Sequence, residues 1–243
     1  MSSDPKKLLV TTSWDDGDIL DTRVADLLDV HGLKGTFYIP REYWGERLTD
    51  AQIRALSARH EIGAHTLSHI DLVKATRETG MQEISGSKNW LKEVTGKPIQ
   101  MFCYPRGRYT PATRDDVQAA GFAGARTTKL FSLDSSPPFE MPTTIQVYPL
   151  PFLPGSGVRK FVSPIQQRYT GLRSLGVSVY CMRSFESAAK AAFDEALKKG
   201  GVFHLWGHSW EVEKYGLWKQ MEAVFTYMSK RSNCDYVTNG ELV

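Results

Sequence analysis

The sequence predicts an α/β fold built on a mostly parallel sheet, open or closed into a barrel. Two observations carry this. Strand-like runs alternate with helix-like runs along most of the chain, as in repeated βαβ units. Residues suited to chemistry recur just where the strands run out, the usual place for active groups in parallel folds. A length of 243 residues suits one such unit, and the chain is read as a single domain over 1–243.

The elements follow in order. Residues 8–12 are the first strand. Asp21–His31 carries apolar residues at helical spacing, and Gly32 ends it. Gly35–Ile39 is the next strand. Residues 49–59 are helical with Thr49 as N-cap, and 61–65 are a short strand. Residues 81–95 form a helix closed by Gly96-Lys97-Pro98. Strand 101–104 and helix 111–120 follow. A turn-rich region at 133–164, dense in Pro, Ser and Gly, is expected to shape the substrate mouth. Its Phe139, Tyr148, Phe152 and Phe161 are expected to pack over the barrel top or form a contact between copies in a homo-oligomer. Residues 176–182 are read as strand, Phe185–Lys199 as an amphipathic helix, 201–208 as strand, 217–230 as helix and 235–238 as a last short strand.

The totals exclude some classes. The apolar fraction is 41%, the charged fraction 23% and the net charge only +3, with no basic run interleaved with aromatics, so nucleic acid is not expected as a partner. No stretch approaches the roughly 20 apolar residues of a membrane span, and the first seven residues do not resemble a signal peptide. Three widely spaced cysteines, Cys103, Cys181 and Cys234, read as free thiols in a reducing compartment. The expected location is therefore the cytoplasm.

Three stretches carry chemistry. In H-T-L-S-H, His65 and His69 are four apart, a spacing that puts two imidazoles on one face of a helix or tight turn. Two imidazoles and a carboxylate are a common catalytic metal set. In S-W-D-D-G, Asp15 and Asp16 are adjacent like charges at a strand end. One can complete the metal set and the other can act on the metal's water; a bare Asp-Asp-Gly surface turn is the plainer reading. In G-G-V-F-H-L-W-G-H-S-W-E, period two puts His204, Trp206 and His208 on one strand face, with His208 outermost. Trp206 and Trp210 offer an apolar wall or a sugar-stacking platform, or simply core.

These pieces, in this order, resemble the NodB-type polysaccharide deacetylases, the family-4 carbohydrate esterases. The family's T-F-D-D-G is matched by Ser13–Gly17 as S-W-D-D-G, its H-S/T-x-x-H by residues 65–69, and its usual ending by Y-V-T-N-G-E-L. The resemblance implies a distorted (β/α) barrel of about seven strands and one divalent metal, zinc for preference, with cobalt, nickel, manganese or iron(II) also accommodated. It implies Asp16, His65 and His69 as ligands, Asp15 as general base and His208 as general acid. It implies hydrolysis of an acetamido group on a poly- or oligosaccharide amino sugar or a sugar conjugate.

The chain departs from the family at its third motif, R-x-P-Y/F. Here the segment is Cys103-Tyr104-Pro105-Arg106. Arg106 stands where an aromatic supplies a backbone N–H to the oxyanion, which a different side chain leaves possible. Tyr104 and Trp210 complete the expected substrate-side set. The arginine that orients the base is missing from its place; Arg106, Arg108 and Arg126 are the candidates, with Arg126 preferred. Glu211 is the candidate to tune the acid, and His204 is the alternative acid if the last strand is out of register. Because of the altered motif, a small amide such as a cyclic imide or ureide is the alternative substrate. A non-catalytic sugar-binding module is the third reading, disfavoured because a binder needs no paired aspartates.

Overall fold

A computed structural model describes residues 7–150 and 162–243. Among them, eight parallel strands form the sheet: β1 Leu8–Asp15, β2 Gly35–Ile39, β3 Glu61–Ala64, β4 Met101–Cys103, β5 Gly124–Arg126, β6 Ile145–Gln146, β7 Val202–Gly207 and β8 Cys234–Tyr236. Seven of them are neighbours in the order β5-β4-β3-β2-β1-β7-β6. β1 is central, and every residue but Leu9 is buried. Strands covered on both faces lose the in-out alternation, which is why L-L-V-T-T-S-W reads as a continuous run. β7 takes one edge of β1, in register from Leu9↔Val202 to Trp14↔Gly207. The other edge is shared: β8 pairs with residues 8–10 and β2 with residues 12–15.

The sheet curls until its ends are tied. The Met141 amide donates to the Ala125 carbonyl, its own carbonyl accepts from Thr127, and the Thr144 amide donates to His204, each at 2.9 Å. One stretch thus links β5 to β7, with a parallel bridge at Arg126↔Met141. This is the distorted barrel of about seven strands that the sequence leads one to expect, with β8 as an addition.

Helices cover the outside: α1 Asp21–His31, α2 Asp50–Ser57, α3 Arg77–Thr95, α4 Pro111–Ala119, α5 Val162–Ser174, α6 Phe185–Lys199, α7 Ser209–Lys214 and α8 Trp218–Met228. Local signals set their ends. Thr49 and Gln52 form a reciprocal capping box at the start of α2. Gly32 and Gly96, both left-handed, stop α1 and α3. α6 buries Ala188, Ala189, Ala192 and Ala196, and Phe193 meets Phe203 of β7 edge-on at 5.2 Å. None of the described helices is long and apolar enough to cross a membrane. The three cysteines are unpaired, with Cys103 and Cys234 buried.

The structure corrects several readings. Residues 176–182 do not form a strand. Val179–Arg183 is a 3-10 turn capped by Ser178, and Val179 and Tyr180, the residues with strand propensity, are exposed. β5, β6 and α7 are two to six residues long, too short to show a period. α3 starts at Arg77, four residues early, under the Thr76 cap. α5 begins inside the region read as turns. Within that region Phe139 packs against the core and Tyr148 against Tyr215 at 5.4 Å; Phe152 and Phe161 lie outside the described residues.

β1 hands over to α1 through a turn at Gly17, with φ 65° and a position where a Cβ would sit 2.7 Å from Ile39 Cγ2. Gly17→Ala combines backbone strain with a clash against a buried side chain. It is expected to lower unfolding free energy by roughly 1–3 kcal/mol, read from urea denaturation midpoints; an unchanged midpoint would show that the turn relaxes freely.

Candidate active site

Successive side chains on a strand point to opposite faces, so two adjacent aspartates would normally diverge. Here Asp15 is the last residue of β1 and Asp16 is left-handed, with φ 82°. The reversal brings both carboxylates to one mouth of the barrel. It is held by the Asp16 amide donating to the Tyr38 carbonyl (3.1 Å) and Leu48 donating to the Gly17 carbonyl (3.0 Å). The Arg47 guanidinium adds a bond to the Asp16 carbonyl at 3.3 Å.

His65 and His69 follow β3 on a tight turn, not a helix. Thr66 (φ 66°) and His69 (φ 51°) are both left-handed. The Glu83 carboxylate of α3 fixes that turn, accepting from the Leu67 and Ser68 amides at 2.8 Å each and from the Ser68 hydroxyl at 2.6 Å. The two rings meet edge to face, centroids 4.8 Å apart. His65 Nδ1 lies 2.7 Å from the Cys103 carbonyl. A carbonyl only accepts, so Nδ1 carries the proton and Nε2 presents a lone pair.

His65 Nε2 and His69 Nε2 lie 3.8 and 3.5 Å from Asp16 Oδ1. That oxygen is buried and has no hydrogen-bond partner. Two imidazole nitrogens and an orphaned carboxylate oxygen, three donor atoms grouped beyond hydrogen-bond length, fit a divalent cation. Ligands at about 2.1 Å in tetrahedral array stand about 3.4 Å from one another. Burial pulls both histidines down to about 4, so both are the neutral imidazoles that metals need. Asp16, His65 and His69 also group together as a candidate ligand set.

Asp15 is held from the other side. Burial pushes its carboxyl up, but the Arg126 guanidinium beside it more than offsets this and keeps it ionised. Arg126 ends β5, is wholly buried, and hydrogen-bonds Asp15 Oδ1. It sits between the rings of Trp206 and Tyr38, 4.8 and 5.2 Å from their centroids. Of the three candidate arginines only Arg126 touches Asp15 among the described residues. Arg108 pairs instead with Asp71 at 2.5 Å. Cys103 lies 3.8 Å from Asp15 Oδ2.

His208 faces the pair from the end of β7, with Nε2 3.8 Å from Asp16 Oδ2. Its Nδ1 hydrogen-bonds Glu211 Oε2 at 2.6 Å. Gln146 donates to the same oxygen at 3.2 Å, and Arg168 donates to Gln146 at 3.0 Å. Burial pulls the His208 imidazolium down, but Glu211, Asp16 and Asp15 outweigh it and its pKa stands at about 9. His204 is deeper, bonded to the Ser13 hydroxyl at 2.8 Å, and burial followed by the nearby Arg126 charge pulls it down to about 3.

These groups open on a cavity of about 410 Å³ that His204 does not line. Trp210 does line it, donating to Asp16 Oδ2 at 3.0 Å and packing against Trp44, centroids 4.8 Å apart. Arg106 stands exposed at its edge. Tyr104 is not part of the cavity lining: it is buried, and its hydroxyl donates to the Phe139 carbonyl at 3.0 Å. It follows β4 in extended backbone, and alternation turns it away from the side on which Cys103 meets Asp15. Sequence reasoning missed Tyr43, which lies against His69 at 4.2 Å, and the supports Glu83, Gln146 and Arg168. No spacing marks such residues, because each reaches the site from a distant element.

A family model described as polysaccharide deacetylase matches residues 2–125, half of the chain. The chain belongs to the polysaccharide deacetylase family. A Bacillus subtilis (strain 168) protein whose name places it among polysaccharide deacetylases is 26% identical over 130 residues, 51% of this chain and 46% of that one. A chitin deacetylase from Pestalotiopsis sp. is 31% identical over 88 residues, 35% of this chain and 30% of that one. The chain thus spans less than half the length of the curated relatives it matches. A family 4 acetyl xylan esterase from Clostridium thermocellum, solved with a cobalt ion, superposes with TM-score 0.61 at 18% identity, over 96% of this chain and 89% of that one. That likeness carries the fold.

The Glu211–His208 pair gives a pH signature. Replacing Glu211 by Gln removes the main group holding the imidazolium charged, while burial continues to oppose it. The alkaline limb of kcat/KM is expected near pH 9 in the parent and well acidward of it in Glu211→Gln. At pH 8 this amounts to a loss of roughly ten- to thirtyfold. An alkaline limb that stays in place would remove Glu211 from this role.

Proposed function

We propose that this chain is a metal-dependent amidase that removes N-acetyl groups from amino sugars in poly- or oligosaccharides or sugar conjugates. One observation carries the reading: on either side of the Asp16, His65 and His69 donor set stand a carboxylate held ionised and an imidazole held protonated. Environments that push two titratable groups apart in this way assign base and acid. Membership of the polysaccharide deacetylase family and the chitin deacetylase relative support the substrate class.

Asp16, His65 and His69 hold the metal, for which zinc is the preferred occupant and cobalt, nickel, manganese and iron(II) the alternatives. The bound cation supplies Lewis acidity to the amide carbonyl and lowers the pKa of water. The rest falls to the protein. Asp15 accepts the proton of the attacking water, with Arg126 fixing its orientation and charge. The Arg106 backbone N–H, which donates to no group among the described residues, is free to donate to the oxyanion. His208 gives its proton to the amide nitrogen as the C–N bond breaks, releasing acetate and the free amine. Trp210 holds Asp16 and walls the site.

The test is acetate release by zinc-loaded protein on N-acetylglucosamine oligomers and nucleotide-linked N-acetyl sugars, with cyclic imides run in parallel by ring-opening absorbance. Acetate is expected, with Asp15→Asn slower by about a thousandfold. Ring opening without acetate would instead favour the cyclic imide or ureide reading that the altered third motif keeps open.

A further inference from the structure

Every charged group of the cavity but one lies against a partner of the protein's own. Asp15 has Arg126, His208 has Glu211, and Asp16 lies among imidazoles. Arg106 lines the same cavity, yet its guanidinium makes no hydrogen bond or ion pair among the described residues. It is close enough to His69 and Tyr43 for its charge to bear on both. Its backbone is left-handed, with φ 59° and ψ 13°, a conformation where Gly and Asn are the usual occupants. Gly107 follows, also left-handed at φ 66°, in a position where a Cβ would meet Thr128 Oγ1 at 1.9 Å. Two successive left-handed residues, the second with no room for a Cβ, present a long cation, unpaired, beside the reacting centre. Strain of this kind is kept where it positions a functional group.

With a divalent cation bound, which rests on the reading above, the mouth carries surplus positive charge. A neutral sugar would leave it unanswered. We propose that the substrate is an acidic N-acetyl amino sugar whose phosphate or carboxylate is bound by Arg106 next to the scissile amide. A guanidinium suits both anions, since either can accept two parallel N–H bonds.

The test measures binding, so it does not depend on turnover. Zinc-loaded protein is titrated by calorimetry with glucosamine, glucosamine 6-phosphate and muramic acid, in the parent and in Arg106→Asn. Asparagine tolerates the left-handed backbone, so the variant keeps the turn; circular dichroism confirms its fold. At least one acidic sugar is expected to bind about tenfold more tightly than glucosamine, and Arg106→Asn to erase the difference. Which acid gains tells phosphate from carboxylate. Equal affinities in the parent, no measurable binding of any of the three, or a preference that survives in Arg106→Asn because the zinc alone holds the anion would overturn the proposal. Acetate release without anion preference sinks this inference alone. An Arg106-dependent preference without acetate release from any N-acetyl sugar sinks the deacetylase reading, and with it the N-acetyl sugar as substrate, and leaves only the anion site at Arg106 standing.

Discussion

The site depends on keeping two adjacent, buried carboxylates charged. Burial opposes the ionised form of each, and each opposes the other. Asp15 is relieved by a cation built into the chain, the Arg126 guanidinium. Asp16 has no guanidinium: the His208 imidazolium stands 3.8 Å from its Oδ2, which also accepts from Trp210, while its Oδ1 faces two neutral imidazoles and accepts no hydrogen bond. The asymmetry gives two chemically identical side chains different surroundings, one ion-paired and one with an unpartnered oxygen, which is the basis for proposing one as base and the other as ligand. It also explains why Arg126 is sandwiched between aromatic rings in the barrel interior, where a buried charge is tolerated only because Asp15 answers it.

Backbone geometry does as much as side-chain chemistry. Asp16, Thr66, His69 and Arg106 are all non-glycine residues in the left-handed region, and all stand just beyond the C-terminal ends of β1, β3 and β4. Each would be unfavourable alone. Local supports hold them: the Tyr38 carbonyl and Arg47 at the aspartate turn, Glu83 across the histidine turn, and the Gly107 amide on the Tyr104 carbonyl at the Arg106 turn. The barrel contributes rigid strand ends, and these short turns aim the groups inward from them. The His208 side is built differently. His208 leads directly into α7, so Glu211 returns one turn later to meet its ring, and Gln146 and Arg168 hold Glu211 in place.

Much of this was legible in the sequence. Asp21–His31, Gly35–Ile39 and Phe185–Lys199 show clear period or clear flanking signals, and each forms over those residues. The D-D-G and H-x-x-x-H motifs were legible because the residues that converge are near in sequence. What was not legible reaches the site over long range. Arg126 could be named only as a candidate, since its contact with Asp15 spans 111 positions. Glu83 looked like an ordinary helix residue, and Tyr104 was misplaced because motif order says nothing about which strand face a residue takes. The 176–182 segment misled because β-branched and aromatic residues can also mark an exposed turn.

The central claim is that Asp16 binds the metal and Asp15 does not. Calorimetric titration of metal-free protein with zinc tests it directly, comparing the parent with Asp16→Ala and Asp15→Asn. One zinc per chain is expected in the parent, binding about a hundredfold or more weaker in Asp16→Ala, and near-parental affinity in Asp15→Asn. Parental affinity in Asp16→Ala, or its loss in Asp15→Asn, would contradict the division of labour between the two aspartates.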